Sequence, residues 1–321
     1  MALSEPDVAE VVVVPESGEQ ITARSPLQLF WRRLRRDKVA MAALVVIVLL
    51  ILIALFAPLI VKVANAADPE MTNSDALSAF GTPTGPSGTY FFGVDNLGRD
   101  VFSRVIYGTR VSLEVAFIST GIAVLIGTIV GLVAGYFRGW IDAVLSRITD
   151  VVLAFPILLL GLGLAAACSG VDGCLKGIIQ PGLPVVITVI AIINWTYIAR
   201  IVRGQVLSLR EKEFVEAARS VGASDRQIIV REILPNLIAP LIVYSSLLIP
   251  ANILLEAALT FLGVGVGAGT PSWGGMISDA QEIFDVAWWF MLFPGLALLV
   301  TVLAFNLVGD GLQDALDPRR N

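Results

Sequence analysis

Six apolar runs constrain this chain more than any other feature in it. Val39–Val61, Val111–Tyr136, Val151–Cys168, Leu183–Ala199, Leu237–Leu262 and Trp288–Val308 each come close to the roughly 20 residues a helix needs to cross a bilayer. A backbone in hydrocarbon must satisfy its own hydrogen bonds, so such runs specify an all-α polytopic membrane protein. Composition agrees, with 56% of residues hydrophobic against roughly half in soluble domains. Six spans put both termini on one side, and the positive-inside rule says which. Seventeen of the 22 Lys and Arg fall on the N-terminal side; only Lys62, Arg99, Arg104, Arg110 and Lys176 fall on the other. The expectation is a multi-pass protein of the plasma (inner) membrane with cytoplasmic N- and C-termini. The net charge of −5 averages over two aqueous faces and decides nothing.

The same reading divides the chain. Residues 1–38 form a cytoplasmic tail whose first 25 or so are acidic, broken by Pro6 and Pro15, and expected to be disordered. Residues 39–61 are the first span. The basic cluster Arg32–Lys38 before it imitates a signal peptide, but the cluster lies too far in and the run is too long, so a retained anchor is expected. Residues 62–110 are extracytoplasmic, with turn formers in the first half and Val101–Tyr107 expected to lie flat on the membrane. Residues 111–309 hold the other five spans and a cytoplasmic loop at 200–236. Residues 310–321 form the second tail. The chain has no His, and none of its four lysines stands in a Gly-Lys-Ser/Thr phosphate loop. His-based catalysis is excluded, no metal site is expected, and the chain cannot hydrolyse ATP by itself. The glycines Gly263, Gly265, Gly267 and Gly269 lack a lysine and are expected to form a flexible loop.

The loop at 200–236 is soluble, charged and amphipathic in a chain that otherwise avoids water. In Glu213-Phe-Val-Glu-Ala-Ala-Arg-Ser-Val-Gly222, Phe214, Ala218 and Val221 recur at i, i+4, i+7, with Glu213, Glu216, Arg219 and Ser220 opposite. Gly222 stands where a glycine stops a helix. Ser224-x-x-Gln227 is a capping box opening a second helix, which Pro235 is expected to end.

Glu216-Ala-Ala218, Gly222 and Leu234-Pro235 resemble the EAA loop of ABC importer permeases. The chain departs from that pattern in carrying Glu232 where it has Ile. The segment Gly93-x-Asp95-x-x-Gly98-Arg99-Asp100, together with Phe137–Asp142, Arg147-x-x-Asp150, Phe155-Pro156 and Pro271-Ser-Trp-Gly274, is similar to the C-type permease of dipeptide, oligopeptide and nickel importers. The resemblance runs from about Arg32 onward. It implies a six-helix type I ABC importer transmembrane fold, of the methionine-permease kind, with a cytoplasmic coupling helix. It implies a second homologous permease as heterodimer partner, ATP-binding subunits and an extracytoplasmic peptide-binding protein. The chain itself would bind no cofactor, ATP and Mg²⁺ being held by the ATPase subunits, and no nucleic acid. The coupling residues would be Glu213, Phe214, Glu216, Ala217, Ala218, Arg219 and Gly222. Asp95, Gly98, Arg99 and Asp100 would serve a gate or a binding-protein contact, or else a local turn in which Asp95 pairs with Arg99. Peptides, nickel chelates and other peptide-like solutes all fit as cargo.

Some residues stand outside the resemblance. Gly127, Gly131 and Gly135 make a small-residue ridge, serving helix packing within the chain or a subunit interface. Glu256 is the carboxylate deep in an apolar run, open to a translocation cavity or bonded to a neighbouring helix. Asn194, Asn252 and Asn306 fit interhelical hydrogen bonds. Cys168 and Cys174, on the oxidising side, form a disulfide or stay as two thiols. An ion-gradient transporter is the rival class, but it needs more ionisable groups within the spans than Glu256.

Overall fold

The computed structural model of the 321-residue chain describes residues 26–316 except 169, 171, 172, 175, 176 and 268. The expected N-terminal tail of about 25 residues lies outside the described residues.

Helix α1 (Pro26–Arg36) precedes α2 (Lys38–Leu55), and Asp37 caps α2 by accepting the Val39 and Ala40 N–H groups at 2.9 and 3.0 Å. The first apolar run is not one straight helix. It breaks at Phe56 and resumes as α3 (Ala57–Val63). Pro58 cannot donate to the preceding turn and its ring crowds that turn's carbonyl, so the helix restarts with Pro58 near its N-terminus.

Helix α4 spans Val101–Phe137, 37 residues. Its first two turns are the segment expected to lie flat on the membrane, and they run on into the second apolar run without a break. Two interactions invisible to hydropathy cause the extension. Asp100 caps the helix through Ser103 N–H at 3.1 Å, and Arg104 donates to the Pro69 carbonyl at 3.0 Å, which lets a buried cation sit in the first turn.

The third run is bent rather than straight. Helices α5 (Gly139–Leu153) and α6 (Ile157–Ala167) meet at 88° across Phe155-Pro156. Helix α7 (Leu183–Leu209) continues ten residues past its apolar run. After the short α8 (Glu213–Ser220), α9 (Asp225–Gln227), a π-helical turn (Ile228–Ile233) and α10 (Leu234–Phe261) run on as one helix. Pro235 therefore does not end the second helix of the loop. It lacks an N–H to donate one turn back, and the wider i→i+5 turn, closed by Leu234 N–H to the Ile229 carbonyl, absorbs the mismatch. Helices α11 (Trp273–Ala280) and α12 (Trp288–Leu316) complete the described residues. Among the described residues five helices are long and apolar enough to cross a membrane, and the bent pair makes a sixth if it is one span.

The core is a seam between α4 and α7. A Cβ at Gly127 would meet the Trp195 carbonyl at 2.6 Å, at Gly131 the Ala199 carbonyl at 2.6 Å, and at Gly135 the Val206 side chain at 2.8 Å. The glycine ridge packs inside the chain. Across the same bundle Asn194 donates to Asn252 at 2.8 Å, and Asn252 to Thr120 at 2.8 Å. Asn306, by contrast, faces outward.

Candidate functional site

The loop at 200–236 is built from one helix stop, one helix start and one anchor. Helix α8 ends in a Schellman motif: Ala223 N–H reaches the Ala218 carbonyl at 3.0 Å and Gly222 N–H reaches the Arg219 carbonyl at 2.9 Å. Gly222 takes φ +84° there, a conformation that a side chain resists. Ser224 and Gln227 then form the reciprocal capping box. The anchor is Val215, fully buried with Val206, Ile228, Ile233 and Tyr136 in one apolar cluster.

The buried face of α8 is Val215 with half-buried Ala218, while Phe214 and Val221 of the Phe214–Ala218–Val221 stripe stay exposed. Val221 is 86% exposed and Phe214 37% exposed. Glu213, Phe214, Glu216, Ala217 and Arg219 all lie on exposed surface. The loop thus presents an aromatic ring among charges to the water.

Tyr136, at the end of α4, ties this loop to the spans. Its hydroxyl donates to Asp225 at 2.6 Å, and its ring lies 5.8 Å from the guanidinium carbons of Arg210 and Arg219. Arg210 also donates to the Tyr136 carbonyl. No sequence motif marked Tyr136, which appeared only as the last residue of an apolar run. Two ion pairs hold α5 against α7. Arg203 grips Asp142 at 2.5 and 2.8 Å, and Arg200 meets Asp150 at 2.6 Å.

A second cluster lies at the opposite end. Asp95 is fully buried and accepts the Leu97 and Arg99 N–H groups at 2.9 Å each and the Arg99 Nε–H at 2.6 Å. Gly98 has φ +74°, and a Cβ there would strike the Asn73 carbonyl. Asp95, Gly98, Arg99 and Asp100 are all buried, and the Asp95 and Asp100 carboxylates accept the N–H groups that hold the turn. Burial pushes the Asp100 carboxyl up. It also raises that of Asp279, on α11, against the pull of Arg99 and Arg104.

Glu256 does not join either cluster or open to a cavity. It is fully buried, accepting from Ser112 of α4 at 3.1 Å and from Thr260 at 3.0 Å. A cavity of about 300 Å³ lies at the α5–α6 bend against Asn194, Tyr197 and Tyr244. Cys168 and Cys174 are joined in the structure, with Cα atoms 4.7 Å apart.

Comparison with known proteins decides what kind of molecule this is. Residues 127–321 match the family described as binding-protein-dependent transport system inner membrane component, and residues 25–78 match the N-terminal transmembrane domain of oligopeptide transport permease C. The chain belongs to the binding-protein-dependent inner-membrane permeases. The dipeptide transport system permease protein DppC of Alkalihalophilus pseudofirmus is 42% identical over 95% of this chain and 94% of its own length. The glutathione transport system permease protein GsiD of Pectobacterium atrosepticum is 40% identical over 93% of each. In fold the chain is similar to a chain of the inward-facing MetNI methionine ABC transporter, at a TM-score of 0.55 and 20% identity, over 67% of this chain and 97% of that one. This chain is thus an all-helical, multi-pass permease subunit of the ABC importer class, with the type I architecture.

Proposed function

We propose that this permease forms half of the pathway of a di- or oligopeptide importer and couples to ATP-binding subunits through α8. The observation that carries the coupling is the exposed Phe214 on a helix that Val215, the Schellman stop and the capping box hold rigid. A rigid helix with one aromatic amid charges suits docking into a partner's cleft. The peptide cargo is supported by the relatives named for dipeptide and glutathione transport.

In the proposed assembly the termini and α8 are cytoplasmic, a second homologous permease lies alongside, and ATP and Mg²⁺ sit in the ATPase subunits below. A binding protein delivers peptide to the outer face, where the braced turn at Asp95–Asp100 serves as part of the gate. The Cys168–Cys174 bond closes the outer loop after α6. Closure of the ATPases displaces α8 as a body, and the packed helices above it follow. Glu256 serves packing in this scheme, and the cavity at the α5–α6 bend takes over the pathway role first considered for it.

Phe214→Ala tests the coupling. About a third of the ring's area remains to be buried, which at ~25 cal/mol per Å² is about 1–2 kcal/mol of docking energy, or roughly five- to thirtyfold in affinity. The variant is expected to lose ATPase copurification and uptake in parallel, with Glu216→Ala weaker in effect. Unchanged copurification with a lowered melting temperature would remove Phe214 from the interface.

A further inference from the structure

A cavity of about 400 Å³ lies under the loop that joins α10 to α11, at the extracytoplasmic end of the bundle. Its size falls within the range of small-molecule sites. Arg99, Arg104, Asn96 and Asp279 line it, together with backbone of the glycine loop. A Cβ at Gly263, Gly267 or Gly269 would meet nothing within 4 Å, so this side is open.

Three observations mark the cavity as unfinished. Arg104 is 3% exposed, yet its Nε has no hydrogen-bond partner; the Asp95 carboxylate stands 3.7 Å away, too far to accept. The Asn96 Oδ1 is likewise buried without a partner. Arg99 reaches Asp279 only at 3.7 Å, and Asp279 is half exposed at the rim. Buried donors and acceptors are normally paired, and those that are not ask for a missing group. The charges are also mixed. Two guanidiniums face Asp95 and Asp279, with Glu70 and Glu282 acting from further off. A simple anion would meet repulsion from these carboxylates, and a simple cation would meet it from the arginines.

We infer that this cavity binds the two charged ends of a short free peptide, its carboxylate on Arg99 and Arg104 and its ammonium toward Asp279 and Asn96. A zwitterion satisfies both signs at once, and the glycine loop leaves room for either side chain. The site rests on the peptide-import reading above and gives it an outer receiving point, between binding protein and membrane. Specificity follows from the buried polar groups, which reject a ligand lacking the matching charge because they are then left unpaired.

The test uses the full importer, with its second permease and ATPase subunits, in nanodiscs without binding protein. The probe is a radiolabelled alanyl dipeptide carrying a diazirine in its second side chain. Photolabelling of this chain is expected to be competed by Ala-Ala but at least tenfold less well by Ala-Ala amide and by N-acetyl-Ala-Ala. Arg104→Gln is expected to cut labelling at least tenfold. Thr270→Trp, which fills the cavity from an exposed position, is expected to do the same without removing a buried group. Absent labelling of the wild type, equal competition by the amide, or labelling indifferent to both variants would overturn the site. So would a loss of binding-protein cross-linking in both variants, read in a parallel preparation with binding protein added, with peptide labelling unchanged, which would make the cavity a protein-docking feature. Dipeptide uptake by wild-type cells separates the two levels: its absence defeats the peptide reading, whereas uptake with indifferent labelling defeats only the site.

Discussion

Gly131→Ala should loosen the whole subunit although it adds one methyl group. The new Cβ would lie 2.6 Å from the Ala199 carbonyl and 2.7 Å from the Val202 Cβ. Ordinary contact needs about 0.8 Å more, and both obstacles belong to a helix backbone or its first carbon, which no rotamer change can move. Helices α4 and α7 must therefore part along a seam that Gly127 and Gly135 also hold closed. Overpacking of this kind costs about 1–3 kcal/mol, and the gain from replacing a helical glycine by alanine returns about 0.5–1 kcal/mol. The net loss is about 0–2.5 kcal/mol, a fall of up to about 10 °C in melting temperature at about 2–4 °C per kcal/mol. Gly121→Ala on the same helix is the control, since a Cβ there meets nothing within 4 Å; it should leave the melting temperature unchanged or raise it. The assay is thermal unfolding of the purified subunit in detergent, beside copurification of the second permease. Equal melting temperatures for the two alanine variants would refute the seam. A Gly131→Ala subunit of normal stability that fails to pair would return the ridge to a subunit interface.

Three further outcomes follow from the same geometry. Gly222→Val, forced against φ +84°, should abolish uptake while leaving the subunit membrane-inserted, and wild-type uptake at normal expression would refute the helix stop. Tyr136→Phe removes only the hydroxyl bonded to Asp225; it should lower peptide-stimulated ATP hydrolysis several-fold while ATPase copurification persists, and unchanged stimulation would refute the tie. In a background with Cys168 and Cys174 replaced by Ser, cysteines at exposed Ser208 and Asp285 should label oppositely with an impermeant maleimide, Asp285 in intact cells and Ser208 only after lysis; labelling on the same side would overturn the orientation.

The number and place of the apolar helices were legible because hydropathy reports burial from water directly. Their ends were not. Val101–Arg110 and Arg200–Leu209 carry charges that lower hydropathy, and only tertiary partners such as Pro69 for Arg104 or Asp142 for Arg203 make those turns helical. The breaks at Phe56 and Phe155-Pro156 had local causes in Pro58 and Pro156, but an uninterrupted apolar run on both sides masked them. Within the loop the stops were readable, since Gly222, Ser224 and Gln227 act on their own backbone. The buried stripe was not. Ala218 belongs equally to a Phe214 series and a Val215 series, and helical periodicity accepts both. Ile228 and Ile233, packed against Val215 from the next helix, make the choice.

These placements constrain how force would travel in the proposed cycle. A push on α8 has two routes upward: the apolar cluster around Val215, and the hydroxyl and cation contacts of Tyr136. Both arrive at the loop-side ends of α4 and α7, which the glycine seam welds into one body over at least Gly127–Gly135. That body cannot bend there, because close backbone packing resists small deformations and moves as a unit. Helix α5 is tied to the same body through Arg203–Asp142 and Arg200–Asp150, so it would move too. Helix α6 lies across the 88° break, beyond those ion pairs, and packs on α7 through apolar side chains such as Leu160, Ala165, Val186 and Ile190, whose contacts are non-directional. Relative motion is therefore expected to concentrate at Ala154–Pro156, where no helical turn continues. The cavity against Asn194, Tyr197 and Tyr244 sits at that break, lined from both α5 and α6. A rocking α4–α5–α7 unit changes that cavity's shape first, which is the coupling an importer needs between a cytoplasmic push and a membrane-depth opening.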